Sequence, residues 1–406
     1  MSDEDILKIH ATSLEIMEKL GIHIQDKEAL KTFEKAGAKI DWDSDRALIP
    51  TYLVNEMMNQ FNPYLSLYNT DGKRTVTLME DSQYFASIGY ANFVLDWRTG
   101  ETRDVCSRDL EDIVKLCESM DSLDVVHPPG QPADDPPELG DLYQAKTMLL
   151  TTRKPIHTHA YTEKHAEKLI AMNTAVMGGM DELRKKPHLI FNINTFSPLA
   201  MRKDAAEVIR TAAKNGVPFL VTVATPAFAL MRIAISQLAK FYHLPSAGGA
   251  LLADSNTIDA QYGWEKFMTA FLPSIAGLNI IFGMGLLSQM NVMSCEALVM
   301  DVEIAQIIKR IQAGITVDSE HLAFDIIAQE FAKSGFLDNP HTYKHFRKEH
   351  FIPSVSDRSM LATWQENGKR EVRIRVREVI QERLDAYQKP RQPDSLEQTL
   401  EDIIQK

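Results

Sequence analysis

The chain has 406 residues, 44% hydrophobic and 25% charged, with 44 lysines and arginines against 56 aspartates and glutamates for a net charge of −12. That length exceeds one small core and suits a barrel with appendages, in a composition ordinary for a soluble globular protein. The acidic balance repels phosphate backbones, so no nucleic acid is expected, and no apolar run approaches the ~20 residues of a membrane span, so no membrane is expected. Three cysteines, Cys106, Cys117 and Cys295, lack CxxC spacing; they suit a reducing cytoplasm and offer neither a disulfide framework nor a zinc knuckle. The acidic start MSDEDILKIH does not read as a secretory signal.

Ile6, Ile9, Leu14, Met17 and Leu20 fall near one helical face, and Gly21 suits a stop. A second helix is predicted over residues 26–36, ending at Gly37, and a third after Pro50, a good first-turn residue. The period then changes: residues 65–68, Asp71-Gly72 and residues 76–78 read as a hairpin. From residue 81 onward, short β-rich runs alternate with amphipathic helical runs. Strands are predicted over 123–126, 155–160, 189–193, 218–223, 249–252 and 278–282, with a seventh near 86–89, and helices over 163–177, 203–215 and 259–271. Such alternation means βα units and a parallel sheet. A doubly wound sheet would carry a glycine-rich turn after its first strand, and no strand here is followed by GxGxxG. The expected fold is therefore α/β, a (β/α)8 TIM-type barrel over residues 81–312. N-terminal helices and a hairpin (1–80) precede it, and a C-terminal helical region (313–406) follows.

Beyond about Glu296 the chain reads as helical and polar. The basic run REVRIRVR (370–377) is followed by Glu378, Glu382 and Asp385 at helical spacing, which predicts a solvated helix face. QKPRQPDS (388–395) reads as a linker before a last acidic helix over 396–404.

In a barrel, chemistry sits where strands end and βα loops begin. Asn192 and Asn194 are two apart on one strand, so both amides point to one side and suit a small polar ligand such as a carboxylate; the alternative is a hydrogen-bonded pair inside the barrel. His157 and His159 likewise share a strand face, and Asp254 could complete a metal site with them. No HExxH supports a metal, and a buried, hydrogen-bonded histidine pair is the default. Asp254 follows a strand and is expected in the pocket, while Asp259 and Gln261 open the next helix, where capping alone explains Asp259. Phe282-Gly283-Met284-Gly285 ends another strand, and its glycines fit either ligand approach or a tight turn. Tyr90, Phe93, Trp97, Tyr161 and Phe196 lie near strand ends and could cage a quaternary ammonium, although each singly fits core or rim. No GxSxG motif and no cysteine beside a histidine points to hydrolysis by a nucleophile.

Several segments together resemble the trimethylamine methyltransferase family: EIMEKLGIHIQDKEALKTFEKAGAKID, LIPTYLVNEMMNQF, NFVLDWRTGETRDVCSRDLEDIVKLCESMDSLDVV, NTFSPLAM, LAKFYHLPSAGGALLADSNTIDAQYGWEKFM and HTYKHFRKEHFIPSVSDRSMLATWQENG. They cover most of the chain in the family's order, and DSNTIDAQYGWE and LDWRTGETR are the most specific. The resemblance implies a (β/α)8 barrel that moves a methyl group from a methylamine to the Co(I) of a cobalamin carried by a separate corrinoid protein. The family archetype uses pyrrolysine; many relatives lack it and take quaternary amines such as glycine betaine, carnitine or proline betaine. This sequence contains no pyrrolysine and resembles the second kind.

One departure stands out. After PFLVTVATPAF, the family pattern has another helix, strand and loop, whereas here Pro226-Ala227-Phe228 runs almost directly into Ala229-Leu230-Met231-Arg232. At least one βα unit, on the order of 30 residues, is expected to be absent, and the archetype's pyrrolysine position falls in that stretch. The expected partners are a corrinoid protein and a small quaternary amine, with a homo-oligomer left open. The expected substrate contacts are Asn192, Asn194, Tyr90, Phe196, His157, Asp254, Gln261 and Phe282, with no metal. Two alternatives stay open: a metal-dependent TIM-barrel hydrolase using His157, His159 and Asp254, and a non-catalytic barrel that binds a betaine or a corrinoid protein.

Overall fold

The computed structural model describes residues 1–79, 82–87, 89–128, 130–196, 198–223, 229–331 and 335–406, the side chains of Thr222 and Val223 excepted. Helices Asp3–Lys19, Lys27–Lys35 and Thr51–Met58 form where the periodicity places them. Ser2 caps the first in a capping box, and Asp26 caps the second by accepting from the N–H groups of Glu28 and Ala29. Between them lie three short strands that hydrophobic periodicity does not reveal, Ile22–Ile24, Lys39–Asp41 and Arg46–Leu48, because three residues are too few to display a period. Ile24, Leu30, Ala47 and Leu53 give this module its own small core. It docks on the rest through Ala200–Met201, which pairs in parallel with Ile22–Ile24, and through Arg210, which pairs with Asp26 at 2.9 Å. The hairpin Leu65–Tyr68/Arg74–Leu78 turns at Asp71-Gly72, with Gly72 at φ 73°.

The central unit is α/β with parallel pairing. Leu189–Thr195 pairs with Phe219–Val223 on one side and Ile156–Thr158 on the other. Isolated parallel bridges run from Ile156 to Val126 and from Val125 to Ala86. Tyr84–Ser87 then pairs with Ile280–Met284, which pairs with Ala247–Gly249. These segments stand side by side in chain order, as in a barrel wall, and each is followed by a helix, among them Glu163–Met177, Lys203–Asn215 and Ala260–Ala276. Gly216 (φ 68°) and Gly277 (φ 92°) end two of those helices in the left-handed conformation. Among the described residues, no pairing joins Phe219–Val223 to Ala247–Gly249. The join at Pro226-Ala227-Phe228 lies outside the described residues. On the edge strand, Phe219 and Val221 share one face and are 40% and 48% exposed.

Two predicted strands differ. Residues 123–126 make only bridges. The strand expected over 249–252 is Ala247–Gly249, because Leu251 at φ 53° cannot continue an extended run. The C-terminal region also corrects one expectation. Arg373 and Arg377 of the basic run are not merely solvated: both reach Glu296, a fully buried carboxylate on helix Cys295–Gln312, at 2.9 and 2.8 Å. Burial of Glu296 demands that partnership. The last helix, Leu396–Gln405, buries Leu396, Leu400 and Ile404 against helices Gly140–Thr151 and Glu163–Met177, and Glu401 pairs with Lys146 at 2.6 Å. Among the described residues, no helix is long and apolar enough to cross a membrane.

Candidate active site

Side chains from five neighbouring segments meet at the carboxyl ends of the strands. His157 and His159 project from Ile156–Thr158 and the residue after it, and His127 follows the bridge at Val126. Tyr90 follows Tyr84–Ser87, Asn192 lies on Leu189–Thr195 and Phe282 on Ile280–Met284. Ring centroids lie 4.5 Å apart for Tyr90–His159, 5.2 Å for Tyr90–His127, 4.8 Å for His127–His157, 5.1 Å for His159–Tyr161 and 5.5 Å for His157–Phe282. A hydrogen-bond chain threads them. Asn192 Nδ2 donates to the Tyr90 hydroxyl (3.3 Å), which lies 3.3 Å from His127 Nε2. His127 Nδ1 lies 3.0 Å from the Pro128 carbonyl. The Gly89 N–H donates toward the same nitrogen at 3.4 Å, so these contacts fit either tautomer, with the tyrosine hydroxyl donating to Nε2 in one and accepting from it in the other.

Burial keeps this cluster uncharged. Desolvation pushes His157 down to about 3 and His159 to about 4, and it drives His127 well below the usual histidine range, helped by the other two rings. Tyr90 and Tyr161 are pushed up to about 12 by burial. At neutral pH the site is a set of neutral rings, which can accept a cation on their faces without like-charge repulsion. The expectation that His157 and His159 hydrogen-bond within the barrel is corrected: His157 Nε2 and His159 Nδ1 are buried and have no hydrogen-bond partner. Their neighbours are rings, which pack against imidazole without satisfying its nitrogen.

The other expected residues divide. Asn194 is exposed, and its Oδ1 accepts from Asn192 Nδ2 at 3.4 Å, as the two-residue spacing implies. Phe196 is half exposed, with the Arg202 guanidinium 5.2 Å over its ring. Asp254 is exposed, and Gln261 donates to Glu265 Oε1 at 2.9 Å, while Glu265 Oε2 holds the Asp254 backbone N–H at 2.9 Å. Glu265 thus ties the turn at Asp254 to helix Ala260–Ala276, and among the described residues no side-chain hydrogen bond joins Asp254 or Gln261 to the rings. Among the described residues, His157, His159 and Asp254 do not form a group with ligand atoms within 4.8 Å of one another. His127 was missed by sequence reasoning, although its place one residue past a predicted strand was the available signal.

Supporting contacts explain the most specific motifs. In LDWRTGETR, Arg103 bridges Asp96 (2.8 Å) and Asp109 (2.6 Å), and Arg98 reaches Asp112 at 2.8 Å, fixing the hairpin Phe93–Leu95/Thr102–Asp104. In DSNTIDAQYGWEKFM, Tyr262 and Lys266 are fully buried, and both bond Asp301 at 2.7 Å. Asp301 also accepts from the Gly285 N–H at 2.8 Å, anchoring the turn after Phe282. Gly283 must be glycine: at φ 131°, a Cβ would sit 2.0 Å from the Ala250 carbonyl oxygen. His165 and the Tyr161 N–H both bond Asp141, at 2.8 and 2.9 Å, which positions Tyr161.

The model for trimethylamine methyltransferase matches residues 1–225 and 220–406, which together span the chain. The chain belongs to the trimethylamine methyltransferase family. Its relatives include a trimethylamine methyltransferase of Desulfitobacterium hafniense (strain DSM 10664 / DCB-2), 29% identical over all of this chain and 93% of the relative. A glycine betaine methyltransferase of Desulfitobacterium hafniense (strain Y51) is 25% identical over 90% of this chain and 88% of its own length. The crystal structure of a hydroxylamine complex of MtmB superposes with a TM-score of 0.54 at 11% identity, over 95% of this chain and 88% of that one, which supports a shared fold. As a member of this family, the chain is a corrinoid-dependent methyltransferase. The alignment with the first relative runs over 463 positions against this chain's 406 residues, 57 more than the chain can fill. The family model itself divides at residues 220–225.

Proposed function

We propose that the chain moves a methyl group from a small quaternary amine of the glycine betaine type to the Co(I) cobalamin of a separate corrinoid protein. The observation that carries this reading is the uncharged ring cluster of buried His127 and His157 with partly buried Tyr90, His159 and Tyr161, and with Asn192 bonded to its tyrosine. A quaternary ammonium has no proton to lose, and its leaving group is a neutral tertiary amine, so the protein need supply no general acid. It must strip water from the cation and hold one methyl toward the mouth. Ring faces suit the cation, at about 0.5–2 kcal/mol per well-placed contact. The amides of Asn192 and Asn194 suit the anionic end of a zwitterion.

The corrinoid is the partner's group, and when docked it supplies the nucleophile that accepts the methyl. What fits its approach on this chain is the mouth itself, where Asn194 and Phe196 are exposed at the end of Leu189–Thr195. We also propose that the barrel lacks a βα unit between Phe219–Val223 and Ala229–Phe241. The alignment's 57 extra positions, the division of the family match there and the exposed Phe219 and Val221 support this. Calorimetric titration with glycine betaine, carnitine, proline betaine and trimethylamine tests the site without the corrinoid partner. A quaternary amine should bind, and Tyr90→Leu and His159→Leu should each weaken it about tenfold. Failure of every quaternary amine to bind would defeat the substrate assignment. Binding without turnover would favour a non-catalytic barrel.

A further inference from the structure

Ahead of the arginine-rich helix lie the short helices Ser319–Leu322, Phe324–Glu330 and Pro340–Glu349, and none of them contributes a buried residue. Ile315, Phe324, Phe331 and Leu337 are all more exposed than buried. A segment without an apolar core needs another tie to hold one conformation.

One is present in outline. His345 and Glu349 lie four apart on helix Pro340–Glu349 and so share a face. His321 meets them from the short helix, and the ligand atoms of all three lie within 4.8 Å of one another. The two imidazole rings are 4.8 Å apart. The outer nitrogen of each ring faces a carboxylate: His321 Nδ1 lies 2.7 Å from Asp318 Oδ1, and His345 Nε2 lies 3.0 Å from Glu320 Oε1. Asp318 is itself fixed as the cap of the short helix, and Glu320 is also paired with Lys344. A carboxylate only accepts, so each outer nitrogen carries the proton, and the inner nitrogens, His321 Nε2 and His345 Nδ1, present lone pairs. Both inner nitrogens are closed to water and without a hydrogen-bond partner. The nearest acidic atom to His321 Nε2, Glu349 Oε1, is 3.7 Å away, while Glu349 Oε2 is held by Arg310 at 3.1 Å. The three residues thus bring two unpartnered ring nitrogens and a carboxylate into one cluster.

We propose that His321, His345 and Glu349 bind a divalent transition metal of the zinc class, which ties the 319–322 helix to the 340–349 helix. Two imidazoles and one carboxylate suit zinc and leave a fourth position for water. Asp318 and Glu320 stand where metal-bound histidines usually keep their carboxylate partners, behind the ligating ring. Ligands about 2.0–2.2 Å from one tetrahedral ion lie roughly 3.4 Å apart, so side-chain rotation draws the three inward on binding. The site is separate from the ring cluster at the strand ends and does not depend on the substrate assigned there.

The test uses the untagged full-length protein, purified without added metal, with elemental analysis and zinc titration in the presence of a competing chelator. One zinc per chain is expected. His345→Ala and His321→Ala should abolish stoichiometric binding. Asp318→Asn, which keeps a capping side chain, should weaken it roughly 10–100-fold. His157→Ala should leave it unchanged. Hydrogen exchange supplies a second readout: chelation should speed exchange of backbone amides in residues 318–349 on the order of tenfold, and zinc should restore protection. Absence of stoichiometric zinc binding by the folded parent would overturn the proposal. So would zinc retained in both histidine variants, or zinc lost from His157→Ala.

Discussion

Lys266→Met removes the cation from a pair that is wholly inside the protein. Lys266 and Asp301 are both fully buried, 2.7 Å apart; burial pushes the lysine down and the aspartate up, and each is drawn back by the other. Methionine matches the lysine stem closely enough to fill its space, so the loss is electrostatic rather than a cavity. It leaves the Asp301 carboxylate with Tyr262 and the Gly285 N–H but no countercharge, and leaves the Gly283 carbonyl without the donor it has at 3.1 Å. Breaking one side of a buried pair costs about 3–5 kcal/mol. With an unfolding entropy of about 2.1 cal/mol/K per residue, a chain of this size should lose about 4–6 °C in Tm. Scanning calorimetry measures it. Lys266→Met/Asp301→Leu, which removes both charges, should recover a good part of the loss. A single variant within 1 °C of the parent, on the order of 1 kcal/mol or less, would refute the claim that this pair anchors the turn behind Phe282.

Asn192→Ala removes the donor to Tyr90 and should raise KM for a betaine roughly tenfold, the loss of about 1–2 kcal/mol; unchanged steady-state kinetics would remove Asn192 from the site. His157, His159 and His188 are held neutral, at about 3, 4 and 4, against an unfolded value of about 6.5. Their contribution to stability is therefore fully present above about pH 6.5 and is lost as pH falls toward 4, by about 1.4 kcal/mol per pH unit for each ring. Urea titrations from pH 7 to 4.5 should show that slope, and His157→Gln should make it shallower; a flat profile would contradict neutral burial. Val221→Lys, on the exposed edge face, should cost less than about 1 kcal/mol, whereas a helix-covered barrel position would lose roughly 2–4 kcal/mol. A large loss in chemical denaturation would mean that this face is covered.

Much of the barrel wall was legible because it rests on local rules. Helices Glu163–Met177 and Lys203–Asn215 begin and end where periodicity and the glycines at 178 and 216 put them. The three small N-terminal strands were not legible, since each holds its place only by pairing, and Ile22–Ile24 pairs with residues almost 180 positions away. At the proposed site, strand parity implied that Asn192 and Asn194 share a side, and the two amides bond each other; the strand-end rule picked out Tyr90 and His157, whose rings lie in the cluster. The same rule also picked out Asp254, whose surroundings it did not foresee: the chain turns at Leu251 and hands that backbone to Glu265. The role of Glu296 as the anchor of Arg373 and Arg377 was invisible for a similar reason: a buried carboxylate and a solvated one look alike until the fold brings them partners.

The most direct test of the account is a methyl-transfer assay with purified chain, Co(I) cobalamin and a panel of betaines beside trimethylamine, with no metal added. The account predicts methylcobalamin formation with a quaternary amine, in step with release of the matching tertiary amine, and strong loss of both in Tyr90→Leu. Transfer from trimethylamine but from no quaternary amine, or no transfer from any amine that binds, would contradict it.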